Sequence, residues 1–255
     1  MSKIIAFANQ KGGVGKTSTA VNLCSALVHK KKKVLLIDAD PQGNATTGMG
    51  VDKNTEPNLY DILISGERAE DCIVHTKYGD VIPSNSNLAG AAIELTDRKN
   101  RESVLKTSLS EIADKYDYIF IDSPPSLGLL TLNALTAADS VLVPMQCEYY
   151  AMEGLADLIN TMKLTKKSFN KKLELEGIVM TMYDRRLSFA TQVSLEIKKF
   201  FDNAVFNASI PRNVSIAEAP SHGMPINAYK PISKGASAYD ALAAEFLKHR
   251  HISKI

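Results

Sequence analysis

The stretch NQKGGVGKTSTA, at residues 9–20, is the feature that most constrains how this chain can fold. It nearly matches G-x-x-x-x-G-K-[ST], the pattern of a phosphate-binding loop, but Gln10 stands in the place of the first glycine and Lys11 adds a second lysine. An apolar run precedes the loop, and residues 17–30 place apolar side chains at helical spacing after it. A strand, a glycine-rich loop and a helix in this order predict an α/β fold that binds an anion where the helix begins.

Further apolar runs predict the rest of a sheet. Runs of strand length occur at residues 3–8, 34–38, 117–122, 140–144 and 175–181, and residues 204–209 are a further candidate. Stretches with helical spacing separate them, so the chain alternates between the two kinds of element. This alternation predicts an α/β fold of three layers, a mostly parallel sheet with helices on both faces. No linker or repeat divides the chain, and we expect one domain over residues 1–255.

Composition narrows the classes of protein that the chain can be. The net charge is +2, so attraction to nucleic acid would need a local basic patch. The three cysteines, Cys24, Cys72 and Cys147, form no Cys-x-x-Cys pair, which argues against a disulfide framework or a four-cysteine zinc site. No segment approaches the ~18 consecutive apolar residues of a membrane-spanning helix, and the loop begins too early for a signal peptide. We therefore expect a soluble, cytoplasmic protein.

The loop carries the strongest chemical signal. Its glycines let consecutive backbone N–H groups point towards a bound phosphate, Lys16 would neutralise phosphate charge, and the Thr17 hydroxyl would bind Mg²⁺. A glycine-rich turn without function is the simpler alternative, but the strand before it and the helix after it argue against that reading. The predicted nucleotide-binding residues of the loop are Lys11, Gly12, Gly13, Val14, Gly15, Lys16, Thr17 and Ser18.

Three acids follow predicted strands. Asp122 ends one strand, whereas Asp38 and Asp40 end or follow another. Because parallel sheets bind ligands at the carboxyl ends of their strands, we expect all three acids to converge on the loop. The simpler alternative is that Asp38 caps a turn and that Asp-Pro-Gln-Gly is a turn selected for its shape.

Several motifs together resemble one family. KGGVGKT (11–17), DADPQGN (38–44) and IDSPPSLGLLTLNAL (121–135) resemble the ParA/Soj family of deviant-Walker ATPases, and QCEYYAMEGL (146–155) and IPRN (210–213) extend the likeness over nearly the whole chain. The resemblance implies the P-loop NTPase fold, with ATP and Mg²⁺ as cofactors. It also implies a homodimer that encloses two nucleotides, in which Lys11 reaches the phosphates of the partner's ATP.

The resemblance assigns further roles to single residues. It implies that Asp40 positions the attacking water, that Asp38 supports the shell of magnesium ligands, and that Asp122 is the acid of the second Walker motif. Pro211 and Asn213 match the segment that contacts adenine. With Lys11 and Lys16, Asp40 completes the predicted catalytic set. Hydrolysis would be slow and stimulated by a ParB-like centromere-binding partner, so that the ATPase acts as a timer.

A basic segment predicts contacts with DNA. Between Lys163 and Lys199 there are nine basic and four acidic residues, and lysines or arginines on such a segment bind phosphates without regard to sequence. The predicted contacts with non-specific double-stranded DNA are Arg185, Arg186, Lys198 and Lys199, of which Arg186 matches a DNA-contacting arginine of the family. Ser215 stands where related proteins often carry a second such arginine. The simpler alternative is a set of solvated helix ends.

Other classes remain as alternatives to a partitioning ATPase on the nucleoid. A MinD-like division-site protein would need a C-terminal amphipathic helix, but the chain ends in EFLKHRHISKI, which has few apolar anchors, so we expect no membrane partner. A metabolic ligase or a metal-cluster enzyme like the nitrogenase iron protein shares the fold, although no cysteine closely follows Asp122 to hold a cluster. A scaffold without turnover would not need Asp40. The motifs leave open whether the cargo is a chromosome, a plasmid or something else.

Overall fold

The computed structural model describes residues 2–148, 151–184, 186–201 and 204–248. Within these residues a six-stranded sheet forms in the order β3-β2-β4-β1-β5-β6, and every strand pair is parallel. Its strands are β1 Lys3–Phe7, β2 Val34–Asp38, β3 Asp80–Ile82, β4 Tyr118–Asp122, β5 Ser140–Gln146 and β6 Glu174–Thr181.

Helices connect the strands and cover the sheet. They are α1 Lys16–His29, α2 Asn44–Gly48, α3 Leu59–Leu63, α4 Leu88–Glu94, α5 Val104–Leu109, α6 Leu129–Ala137, α7 Ala151–Ser168, α8 Ser188–Phe201, α9 Val214–Glu218, α10 Ile226–Tyr229 and α11 Lys234–Lys248. Short 3₁₀ turns lie at Arg101–Ser103, Ala113–Lys115 and Ala219–His222.

Each face of the sheet has its own apolar core. In β2, Leu36 packs into the core that contains the buried side of α1 and α11, whereas Leu35 and Ile37 pack into the core that contains α3 to α7. Successive side chains of a strand point to opposite faces, so a strand covered on both faces must be apolar throughout. The predicted three-layer α/β fold is confirmed.

The structure corrects two details of the predicted sheet. The strand β3 lies in a three-residue segment that was not predicted, because so short a run carries no clear alternation. The strand predicted at residues 204–209 is wrong, since the segment makes one isolated parallel bridge, from Val205 to Ile178, and no continuous ladder; the Ile210 N–H then donates to the Met180 carbonyl of β6 at 2.8 Å. The side chain of Glu245, on α11, accepts hydrogen bonds from the backbone N–H groups of Asn207 and Ala208, at 2.8 Å each. Those two groups are therefore not available to extend the ladder.

The topology places the carboxyl ends of β1, β2 and β4 next to one another at one edge of the sheet. β1 lies between β4 and β5, and β4 pairs with β2 so that Asp38 and Asp122 are register partners. Phe7, the last residue of β1, pairs with Asp122 from the other side. The loop after β1 and the acids that end β2 and β4 thus meet at the carboxyl edge of the sheet, as expected from the sequence.

Candidate active site

The loop between β1 and α1 has the backbone shape of an anion cradle. Gly13 and Gly15 have φ angles of 73° and 87°, in the left-handed region where a residue with a Cβ is strained. Gly15 directly precedes the first turn of α1. The Thr181 hydroxyl, at the end of β6, donates a 2.6 Å hydrogen bond to the Val14 carbonyl and so fixes the loop against the sheet. The loop leads directly into α1, whose first N–H groups have no acceptor within the helix and can bind an anion.

Lys16 lies folded over this loop. Its side chain is 6% exposed, and its ammonium donates a 3.3 Å hydrogen bond to the Lys11 carbonyl. Burial lowers the pKa of Lys16, and the negative charges of Asp122 and Asp40 partly offset that effect. A buried cation that has one weak protein acceptor in the described part of the chain is suited to a phosphate ligand.

Asp38 is fully buried at the end of β2 and has donors on both oxygens. Its Oδ2 accepts from the backbone N–H and the hydroxyl of Thr46, at 2.8 Å each, and its Oδ1 accepts from the Asp40 N–H at 3.2 Å. Burial raises the pKa of Asp38 to about 6, although these hydrogen bonds work in the opposite direction. Asp38 is therefore held in place by α2 and is better placed to support a metal shell than to bind a metal alone.

Asp122, its register partner, is also buried but has little support. Neither carboxylate oxygen accepts a hydrogen bond of good geometry within the described residues. The Thr17 hydroxyl and the Lys16 ammonium lie close enough to favour its charged form, yet burial and the charge of Asp38 outweigh them and raise the pKa of Asp122 well above its usual value. Buried carboxylate oxygens without donors are costly unless a cation or a proton joins them.

These oxygens fit a magnesium ion that is shared with a nucleotide. Mg²⁺ prefers oxygen ligands and usually takes one or two from the protein, with water and phosphate oxygens completing the octahedron. The described residues contain no group of three or more His, Cys, Asp or Glu side chains that could hold a metal alone. Thr17 and Asp122, with Asp38 behind them, match the smaller share that Mg²⁺ requires of the protein.

Asp40 lies next to this pair, at the start of the turn after β2. It is 8% exposed, its Oδ1 accepts a 2.9 Å hydrogen bond from the Gln42 N–H, and its carbonyl accepts one from the Ser84 hydroxyl at 2.9 Å. The Ser84 N–H in turn donates to the Thr46 hydroxyl, at 2.9 Å. Sequence reasoning missed Thr46 and Ser84, which fix both acids, because no local pattern links residues 38 positions apart.

Lys11 forms its ion pair with an acid other than Asp38, Asp40 and Asp122. Its ammonium forms an ion pair with the carboxylate of Glu148, and the two side chains are 47% and 50% exposed. The Gln146 amide donates a 3.1 Å hydrogen bond to the Gly13 carbonyl. The last residue of β5 is thereby attached to the loop, a contact that no spacing in the sequence predicted.

The two residues expected at adenine differ in their surroundings. Pro211 lines a cavity of about 630 Å³, together with Tyr183, Ile232, Ser233 and Lys234. Asn213 does not line that cavity, since its Oδ1 accepts a 2.9 Å hydrogen bond from the Ser215 N–H and caps α9. A second cavity of about 430 Å³ opens beside Thr17 and Ser18, between α1, α2 and the 3₁₀ turn at Ala219–His222.

The described residues expected at DNA lie on α8 and in the turn before it. Arg186 is 89% exposed, and its guanidinium holds both oxygens of Asp184 at 2.7 to 3.2 Å. This ion pair lowers the pKa of Asp184 to about 2. Lys198 and Lys199 occupy the last turn of α8, where Lys199 pairs with Glu196 at 2.5 Å. Arg185 lies outside the described residues.

Ser215, at the position where the family often has a DNA-contacting arginine, is largely buried. It is 8% exposed and lies in the first turn of α9.

The surface around the basic segment also has apolar side chains. The side chains that are about half or more exposed are Leu164, Phe189, Leu195 and Phe200. No helix in the described ranges has the length and apolar character needed to cross a bilayer.

Known proteins resemble this chain over its full length. A family model described as an AAA domain matches residues 2–175. The sporulation initiation inhibitor protein Soj of Bacillus subtilis (strain 168) is 53% identical, with 96% of this chain and 98% of that protein covered. The chromosome-partitioning ATPase Soj of Treponema pallidum (strain Nichols) is 45% identical, with 97% and 98% covered.

A solved structure also resembles this protein over nearly the whole length of both chains. The crystal structure of cobyrinic acid a,c-diamide synthase from Mycobacterium smegmatis with bound ADP and magnesium has a TM-score of 0.86, is 35% identical, and is covered over 99% of its chain and 100% of this one. That structure holds ADP and magnesium.

Proposed function

Because this chain belongs to the Soj/ParA family of chromosome-partitioning ATPases, we propose that ATP binding makes it dimerise and that the dimer binds DNA without sequence specificity. ATP hydrolysis, slow alone and stimulated by a ParB-like centromere-binding partner, then returns the protein to the monomer. In this cycle the nucleotide sets the oligomeric state, and the oligomeric state sets the affinity for DNA.

The phosphate loop and the paired acids would form the nucleotide site. The N–H groups of residues 12–18 and the Lys16 ammonium would bind the phosphates, while Thr17, Asp122 and Asp38 would hold Mg²⁺ directly or through water. When bound, Mg²⁺ would neutralise charge on the β- and γ-phosphates. The cavity that Pro211 lines would take the adenine, with Asn213 ordering the adjacent turn of α9.

One observation carries the proposal of a dimer. Lys11 lies on the exposed side of the loop and directs its ammonium to Glu148 rather than to the acids of its own site. Lys16 already supplies the cation that the protomer's own phosphates need. A second lysine on the open side is therefore positioned for phosphates that arrive from outside the protomer, as in a two-fold symmetric dimer.

Asp40 would orient the attacking water. A carboxylate beside a triphosphate is a weak base, so positioning the water rather than removing its proton is the role that fits Asp40. Its fixation by Ser84 and the Gln42 N–H holds it in one orientation. Turnover would then wait for the partner to complete the geometry, which lets hydrolysis act as a timer.

The surface of α8 and the turn before it would contact DNA. Lys198, Lys199 and Arg186, with Arg185, would contact phosphates, and two copies of the surface in a dimer would bind much more tightly than one. This supports a cytoplasmic protein on the nucleoid, with no membrane partner.

Light scattering with ATP, ADP and no nucleotide tests the dimer. We expect dimers only when both ATP and Mg²⁺ are present, a much weaker dimer for Lys11→Gln, and a long-lived ATP dimer for Asp40→Ala. If Asp40→Ala stayed monomeric with ATP although its ATP affinity were intact, the proposed timer would be wrong.

A second candidate function is amide synthesis, because the solved synthase matches this fold over its full length. The Soj proteins share a larger part of the sequence, which favours partitioning. Addition of cobyrinic acid and an amide donor should leave ATP turnover unchanged. A large increase in turnover, with amide formed, would favour the synthase instead.

A further inference from the structure

We propose that Glu148 is a positioning residue that holds the Lys11 ammonium inside its own protomer until two ATP-bound protomers meet. The inference rests on the proposed role of Lys11 at the partner's phosphates. It adds a restraint on dimerisation that acts in each separate protomer, and the residue that exerts it lies in the segment between β5 and α7.

The contact joins two segments that are far apart in the chain. The Lys11 ammonium pairs with the Glu148 carboxylate, and within the described residues Glu148 is its one ion-pair partner. The Lys11 backbone is fixed as well, because its N–H donates a 3.0 Å hydrogen bond to Asn9, whose amide donates a 2.9 Å bond to the Pro144 carbonyl. With the backbone held from both sides, the lysine side chain is the part that can move.

Glu148 is also held in place by its surroundings. Its N–H bonds to the Gln146 carbonyl at 3.0 Å, and its own carbonyl accepts the Ala151 N–H at 3.0 Å where α7 begins. The side chain of Gln146 binds the Gly13 carbonyl of the loop. These contacts fix the backbone of Glu148 near the loop, so its carboxylate lies within reach of Lys11.

Dimerisation requires the Lys11–Glu148 ion pair to break, which costs free energy. A lysine that serves the partner's phosphates must leave Glu148, and in a symmetric dimer both protomers open one pair. Exposed ion pairs are weak, so each pair would lower the dimer association constant by a small factor and the two together by about fivefold. Salt should reduce the factor, because both side chains are half exposed.

Removing the carboxylate tests the inference. We would measure the dimer dissociation constant of Glu148→Gln with Mg²⁺ and a slowly hydrolysed ATP analogue by sedimentation velocity, at low and high salt. The expected result is an about fivefold tighter dimer at low salt and no difference at roughly 0.5 M salt. The control is Glu153→Gln, because Glu153 is an exposed acid in the first turn of α7 and makes no ion pair among the described residues. It should dimerise like the original protein.

A Lys11→Gln background separates the inference from the proposed function. If Glu148 acts through Lys11, Glu148→Gln should change nothing there. If Lys11→Gln alone dimerises normally, the role of Lys11 at the partner's phosphates is wrong and the inference falls with it. If Lys11→Gln weakens dimers but Glu148→Gln leaves them unchanged or weaker, the proposed function stands and the restraining role of Glu148 is overturned.

Discussion

At the scale of single residues, the site concentrates charge that the fold buries without neutralising it. Asp38 and Asp122 are register partners on adjacent strands, and both are fully buried. Burial and the negative charge of Asp38 raise the pKa of Asp122, and two buried carboxylates this close in the sheet destabilise the protein when both are ionised. The arrangement suits a protein that binds a cation there, because a cation would neutralise the charge of the two buried carboxylates.

Asp122→Asn should therefore stabilise the protein without nucleotide or Mg²⁺. The amide removes the repulsion with Asp38, and we expect a gain of about 1–2 kcal/mol, or roughly 2–8 °C in Tm. Thermal melts at pH 7 with no Mg²⁺ check this, with the exposed Asp97→Asn as the control. A lower Tm for Asp122→Asn would contradict the account of the pair.

The stabilisation should depend on pH in a definite direction. A raised native pKa means that the native state binds more protons at Asp122 than the unfolded state does, so the contribution of Asp122 to stability is lost as pH rises from about 4 through its raised native pKa. The difference in Tm between Asp122→Asn and the original protein should grow over that range. A difference that shrinks with rising pH would mean that the pair is not the cause.

Lys16→Ala should remove most of the affinity for ATP. Hydrogen bonds to charged groups contribute about 1.5–3 kcal/mol each, so we expect a loss of at least roughly 10- to 100-fold. Isothermal titration with ATP and Mg²⁺ measures it, and Lys30→Ala, an exposed lysine beyond the end of α1, is the control. Unchanged affinity in Lys16→Ala would remove the phosphate loop from the nucleotide site.

At the scale of elements, uninterrupted apolar runs predicted five of the six described strands, because a strand covered on both faces must be apolar at every position. The loop and its three acids were predicted from motifs at strand ends. What could not be predicted depends on distant partners: Glu245 takes the N–H groups of residues 207 and 208, and Ser84 binds the Asp40 carbonyl. Local patterns contain no information about such contacts.

Gly177→Ala should weaken the attachment of β6. A Cβ at this glycine would lie 2.5 Å from the Phe206 ring and 2.9 Å from the Ala204 carbonyl. We expect a loss of about 1–3 kcal/mol in the free energy of unfolding, measured by urea titration. The matched control is Gly154→Ala in α7, where a Cβ meets nothing within 4 Å and should add up to about 1 kcal/mol. Equal effects in the two variants would contradict this packing.

At the scale of the whole molecule, charge is distributed unevenly. The chain is nearly neutral, at +2, whereas residues 163–199 contain nine basic and four acidic residues. DNA affinity should therefore depend on this surface and on how many copies of it the assembly presents. The ion pair with Asp184 partly neutralises the charge that Arg186 could offer to DNA phosphates.

Asp184→Asn and Arg186→Glu should change DNA affinity in opposite directions. Asp184→Asn frees Arg186 and should tighten ATP-dependent binding and steepen its salt dependence, whereas Arg186→Glu should weaken binding. Fluorescence anisotropy with labelled duplex DNA measures both, and light scattering should show unchanged ATP-dependent dimerisation. If Arg186→Glu also abolished dimers, its effect would be on folding and not on DNA contact.

The central claim is that the ATP-bound state is the DNA-binding state, and it is tested most directly by the affinity for non-specific duplex DNA with ATP, with ADP and without nucleotide, across a salt series. The account predicts binding with ATP alone, with a logarithmic affinity that falls steeply and linearly with the logarithm of the salt concentration. Equal binding in all three states, or none in any state despite intact ATP-dependent dimers, would contradict it.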